Sequence, residues 1–314
     1  MIKDSFGLVP AFLMMSLSFV SASELGGDDS IGDQKERALS KRRLLYQSVV
    51  DDTAQSDEEK AKAHCFLAIM TAQQRGPETS SYQEARETFQ NLLKEGLLSD
   101  IMRGQAYFFL AMMDHLGQGL EEANYKAARE NFYSAVKIFS VLEKEFSSAL
   151  LSPQKAHAYY SLAQMDYQGQ GIEKPDYSKA YVYCELAFST GALAKSDLSN
   201  AHYIFGRMNY NKEGIPAINY HKAKLSFEKA IEIGGLSVEL EGKILVTLAD
   251  MHFRGRGMDK VNYIGARYYC DKALSNENLT LDLKAHAQLI LKKISQEEES
   301  SSSAEESGND QEWD

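Results

Sequence analysis

The sequence predicts an all-α protein: an α-solenoid of five helix-pair repeats with a degenerate capping helix at each end. Three observations carry that prediction. Met70, Met113, Met165, Met208 and Met251 are spaced by 43, 52, 43 and 43 residues. A glycine follows each Met six residues on (Gly76, Gly119, Gly171, Gly214, Gly257), a tyrosine twelve on (Tyr82, Tyr125, Tyr177, Tyr220, Tyr263), and an alanine three beyond the tyrosine (Ala85, Ala128, Ala180, Ala223, Ala266). Before each tyrosine stands Ser81, Asn124, Asp176, Asn219 or Asn262, types whose side-chain oxygen accepts from the free N–H groups of a first helical turn. Fixed-register self-similarity at a period of about 20–50 residues marks stacked arrays, in which each unit buries its apolar face against the next.

The elements follow in chain order. Phe6 to Val20 is an apolar run of fifteen residues, short of the roughly 20 that a membrane helix needs. It ends in Val20-Ser21-Ala22, with small residues where a signal peptidase inspects the chain. Residues 1–22 are therefore expected to be a signal peptide, with an uncleaved membrane anchor or a flexible terminus without a targeting role as the alternatives, and 23–32 a linker. Cleavage after Ala22 would export the chain, to the periplasm or medium in a bacterium and into the secretory pathway in a eukaryote, with no stable membrane insertion afterwards. Leu39, Tyr46 and Val49 precede Tyr82, Phe89 and Leu92 by one period of 43, so 33–52 is expected to be an N-terminal capping helix.

The solenoid is expected over 57–296, in copies 57–98, 99–150, 151–193, 194–236 and 237–279, with a C-terminal cap at 280–296. In each copy a first helix, helix A, ends near the Met, with apolar positions at helical spacing such as Ala106, Leu110, Ala111 and Met113. The glycine supplies the backbone freedom of the exit. Helix B starts at the Tyr and carries a bulky or thiol side chain seven residues on: Phe89, Phe132, Cys184, Phe227 or Cys270. Small Ala opposite these lets helices approach closely. Ser152-Pro153 reads as a cap followed by a first-turn proline. Nine extra residues separate copies two and three, and Val136 to Leu150 continues helix B with apolar 3–4 spacing. That segment is either an extended helix packed on its neighbour or a protruding contact element.

Charge and cysteines limit the function classes. The chain carries −11, but Glu297 to Asp314 holds eight carboxylates and no Lys or Arg, which leaves the rest near −3. A near-neutral body gives no electrostatic case for nucleic acid, which needs a basic stripe. The Ser- and Glu-rich segment 297–314 is expected to be a disordered acidic tail. Cys65, Cys184 and Cys270 make no disulfide framework; two of them fall on core positions two repeats apart, beyond the roughly 7 Å that a bridge permits between Cα atoms.

The segments LAMMDHLGQG (110–119) and LAQMDYQGQG (162–171), each followed by a capped Tyr-x-x-Ala helix, resemble the Sel-1-like repeat family, relatives of tetratricopeptide repeats. The resemblance covers about 57–295. Copies one and four depart from it, with Gln74 and Lys212 at the first glycine position. The resemblance implies a right-handed superhelix that serves as an adaptor or scaffold, binding a protein or peptide in a groove lined by helix A. A cysteine-rich branch with penicillin-binding and β-lactamase activity carries paired cysteines in each repeat. Their absence here argues against that enzyme reading.

Nothing else in the sequence calls for catalysis, a cofactor or a metal. The Gly-x-Gly elements at 117–119, 169–171 and 255–257 follow helices rather than strands and recur with the period, so they read as helix exits rather than phosphate loops. No two of the seven histidines have the one-turn, same-helix spacing of a zinc site. No Ser-x-x-Lys or Gly-x-Ser-x-Gly nucleophile context is present. The helix A face whose residue type varies between copies is the expected groove: Phe66 and Ile69; Phe109, Met112 and Leu116; Gln164; Arg207; Asp250 and Arg254. Either its apolar N-terminal half is an exposed protein-binding patch, or the capping helix or a loop covers it. A glycan or small-molecule receptor is a further alternative.

Overall fold

The structure, a computed structural model, describes residues 29–73, 79–146 and 151–308. The signal-peptide expectation and the departure at Gln74 lie outside these residues. Among the described residues there are twelve helices and no strand: α1 (Asp29–Asp51), α2 (Asp57–Gln73), α3 (Thr79–Glu95), α4 (Asp100–Leu116), α5 (Tyr125–Phe146), α6 (Ser152–Gln168), α7 (Tyr177–Ser189), α8 (Lys195–Asn211), α9 (Tyr220–Ile233), α10 (Val238–Phe253), α11 (Tyr263–Leu274) and α12 (Leu281–Gly308). The chain divides into two units, 1–194 and 195–314. Within each, a helix packs on its successor, and alternate helices also touch, α2 on α4 and α4 on α6 in the first unit and α10 on α12 in the second. That is the contact pattern of an α-helical repeat.

The repeated residues do the work expected of their chemistry. Met113, Met165, Met208 and Met251, the four alanines from Ala128 to Ala266, and Phe89, Phe132, Cys184, Phe227 and Cys270 are all fully buried. Each large side chain of this set stabilises the fold by about 1.5–3 kcal/mol. Asn124, Asp176, Asn219 and Asn262 accept from the backbone N–H three residues on, at 3.1, 3.0, 2.9 and 2.8 Å. The A-to-B turn is closed the same way in four copies, the cap residue's N–H donating to the carbonyl of Asp114, Asp166, Asn209 or His252.

The glycines have two separate tasks. Gly117, Gly169 and Gly255 take the left-handed conformation that ends helix A, with φ from 66 to 74°. In copy four Lys212 occupies that position and is still held at φ 63°. The second glycine answers to a neighbour: a Cβ on Gly119, Gly171 or Gly257 would meet backbone of the preceding helix B at Gln83, Tyr125 or Tyr220, at 2.6 to 2.8 Å.

A polar ladder, buried at two of its three rungs, joins successive repeats in the first unit. Arg43 donates to Thr71 Oγ1 at 2.9 Å, Arg86 to Asp114 at 2.7 Å and Arg129 to Asp166 at 2.7 Å. Each rung runs from a B-type helix to the residue after the repeat Met in the following helix A. Asn131 adds a bond to Asp114 at 2.9 Å. In the second unit the corresponding pair is Lys224 and His252; His252 packs against the Tyr269 ring instead.

Several boundaries differ from the sequence reading. The N-terminal cap begins at Asp29, four residues early, and Leu39 is exposed. Ser81 lies inside α3, which starts at Thr79. Ser152 is the first residue of α6, and the cap position is Leu151, which makes no side-chain cap bond. The long second helix B runs to Phe146 and packs inward: Phe139 is fully buried, with its ring edge filling the space a Cβ on Gly104 would need. The largest correction is at the C-terminus. The expected acidic tail is helical to Gly308. Ala287, Ile290 and Ile294 anchor the start of α12, so each added turn avoids the cost of nucleation, and Arg267 pairs with Glu298.

Candidate functional site

The expected groove face splits into a packed half and an open half. Phe66 stacks on Tyr46 of α1, ring centroids 4.8 Å apart, and is only 7 % exposed. Ile69 is buried beside it. Phe109 is 4 % exposed and lies between the rings of Phe89 and Phe108. These three residues are core, so of the two alternatives for the apolar half the covered one describes them, with the capping helix lying on Phe66. The physical reason is that the position four before the Met faces the neighbouring helices of the array, so an aromatic there fills space between repeats. Met112 is half-buried, its sulfur 3.1 Å from His157 Nε2. Leu116 alone of the apolar set is open, at 60 % exposure. Gln164 is half-buried on α6.

The polar half of the same face encloses a cavity in the second unit. Its volume is about 320 Å³, and three successive A-type helices line it: Arg207, Tyr210 and Asn211 from α8, Thr247 and Asp250 from α10, and His286 from α12, with Arg254 and Arg256 from the turn after α10. Three of the expected groove residues, Arg207, Asp250 and Arg254, line this cavity. The sequence reading missed three contributors. His286 stands 43 residues after Lys243, on the same face. Arg256 is the middle residue of a Gly-x-Gly exit, where the corresponding Gln118 reaches Tyr82 at 3.3 Å. Tyr210 precedes the exit by one turn.

The charges in this cavity are arranged around Asp250. Arg254 Nε donates to Oδ1 at 2.6 Å, and Arg256 Nη1 reaches Oδ2 at 3.4 Å. Arg256 Nη1 also donates to the Tyr210 hydroxyl at 2.6 Å, and that hydroxyl is 3.5 Å from Oδ2. The Arg256 guanidinium lies over the Tyr210 and Tyr220 rings, 5.7 and 5.2 Å from their centroids. Burial raises the Tyr210 pKa, with the positive charge of Arg256 opposing the shift, so this phenol is a neutral donor near pH 7. The hydrogen bond to Asp250 raises the pKa of Arg254. Arg207 makes no such bond: its Nε is buried without a hydrogen-bond partner.

Three guanidinium groups against one carboxylate give the cavity a surplus of two positive charges, and one of the three is uncommitted. Such a site binds anions. Among the described residues no group of three His, Cys, Asp or Glu could hold a metal ion, and no helix is long and apolar enough to cross a membrane. The three cysteines are buried and free; burial pushes the thiols of Cys65 and Cys270 up to about 12, away from the range of reactive thiolates. No family model matches the chain, and neither does any curated protein.

Proposed function

We propose that the chain is an exported, non-catalytic interaction scaffold of the Sel-1-like type. Its five repeats would wind into a right-handed superhelix and bind a partner protein or peptide through the helix A face. The open, polar part of that face in copies four and five is the docking surface, and the partner presents negative charge to it.

One observation carries this reading: the cavity spanning α8, α10 and α12, in which Arg207 lines the wall with no internal partner. A guanidinium held in a partly enclosed site without a carboxylate costs desolvation. An external anion offsets that cost.

A cross-linked pull-down from native extract tests the proposal, with residues 23–314 as bait beside an Arg207→Glu/Arg254→Glu variant. The expected result is a protein recovered by the wild type and lost by the variant, with unchanged circular dichroism. Recovery of the same proteins by both baits would refute this face as the docking surface.

A further inference from the structure

The charge, donor pattern and size of the cavity identify the chemistry of what it takes, granted that the helix A face is the binding surface. Asp250 is already engaged by Arg254, Arg256 and the Tyr210 hydroxyl. It therefore acts as a brace that fixes two guanidinium groups and not as a seat for a cation. Arg256 is held further by two aromatic faces. Arg207, on the α8 wall, has its Nε buried without a hydrogen-bond partner. His286, exposed on α12, adds a ring nitrogen at the rim.

A carboxylate offers two coplanar oxygens and one negative charge, enough for one guanidinium fork. It would leave part of the +2 surplus uncompensated. A phosphomonoester offers three terminal oxygens and carries about −1.5 to −2 at neutral pH, which matches donors reaching it from three helices. The roughly 320 Å³ of space accommodates a phosphoryl group and the few atoms next to it. We infer that the cavity formed by Arg207, Arg254, Arg256 and Tyr210 is a binding site for a dianionic phosphoryl group, carried as a monoester on the partner or supplied as inorganic phosphate.

The test uses the full chain and isothermal titration with inorganic phosphate, with sodium chloride at matched ionic strength as the blank. A phosphoserine peptide and its glutamate counterpart are titrated in parallel. Arg207→Gln is the informative variant; Arg103→Gln, which breaks an exposed pair on α4 in the first unit, is the control. Saturable one-site binding of phosphate or phosphopeptide, weakened at least about tenfold by Arg207→Gln and untouched by Arg103→Gln, is the expected result. Tighter binding of the phosphopeptide than of phosphate assigns the group to the partner, and equal binding assigns it to the free ion. Heats no different from chloride, an Arg207→Gln variant that binds as the wild type does, or a glutamate peptide equal to the phosphopeptide would each overturn the inference. The scaffold reading fails separately, in the pull-down: phosphate bound with no protein recovered removes the scaffold and keeps the site.

Discussion

Removing Arg129 should destabilise the protein far more than removing any surface charge. Its guanidinium is 2.7 Å from Asp166, and the two side chains are 8 % and 0 % exposed. Truncation to alanine leaves a buried carboxylate with no counter-charge, which costs about 3–5 kcal/mol. The exposed pair of Lys243 and Glu239, one helical turn apart on α10, contributes about 0.3–0.5 kcal/mol, so Lys243→Ala is the matched control. Burial already raises the Asp166 pKa, and Arg129 opposes that rise. Without Arg129 the carboxyl moves higher still, and a protonated Asp166 carries no charge to desolvate. A raised folded-state pKa favours the native state at low pH, so the deficit of Arg129→Ala should shrink as pH falls from 7 towards about 5. Urea denaturation monitored by circular dichroism reads this directly, as a shift in midpoint at constant slope. A deficit below about 1 kcal/mol, or one equal at both pH values, would refute the reasoning that buried charge is what the rung neutralises. The double variant Arg129→Met/Asp166→Leu should recover most of the loss, because it removes both charges together.

Three further outcomes are expected. Phe109→Glu should unfold or loosen the first unit by about 3–5 kcal/mol, seen as a lower urea midpoint, because it places a carboxylate against Phe89 and Phe108; native stability in this variant would show that the position is surface. Lys212→Gly should stabilise by about 1 kcal/mol, read as a rise in melting temperature, since φ 63° strains any side chain; no change would mean that the lysine makes a compensating contact. His202 has its pKa lowered to about 4, chiefly by burial and then by Lys229. The unfolded chain therefore takes up the proton first, and the stability this histidine contributes is present above its ordinary pKa near 6.5 and lost as pH falls towards 4. Melting temperatures across that window should fall less steeply in His202→Gln, and parallel curves would exclude the residue.

The repeat was legible because its chemistry is local. Asn219 caps the helix that starts one residue later, Gly169 ends the helix it follows, and Phe227 lies on the same face as Ala223; each signal sits within two helical turns. What the sequence concealed depends on partners a repeat away. Phe66 reads as a groove residue until Tyr46 stacks on it. The polar ladder was visible in outline, since Arg43, Arg86 and Arg129 recur every 43 residues. Their acceptors are 28, 28 and 37 positions downstream, the last displaced by the nine-residue insertion. The helical extension of α12 was missed because Ser and Glu content speaks against a packed core, and a helix continuing from an anchored start needs no core of its own.

The second glycine of each Gly-x-Gly exit separates two demands on the chain. At Gly119, Gly171 and Gly257 the distance between adjacent repeats is set by main chain lying against main chain. Side chains at the open positions of the helix A face, such as Leu116 and Arg254, do not enter that contact, so substitutions there leave the stacking step as it was. Diversification and assembly are thereby assigned to different atoms of the same repeat.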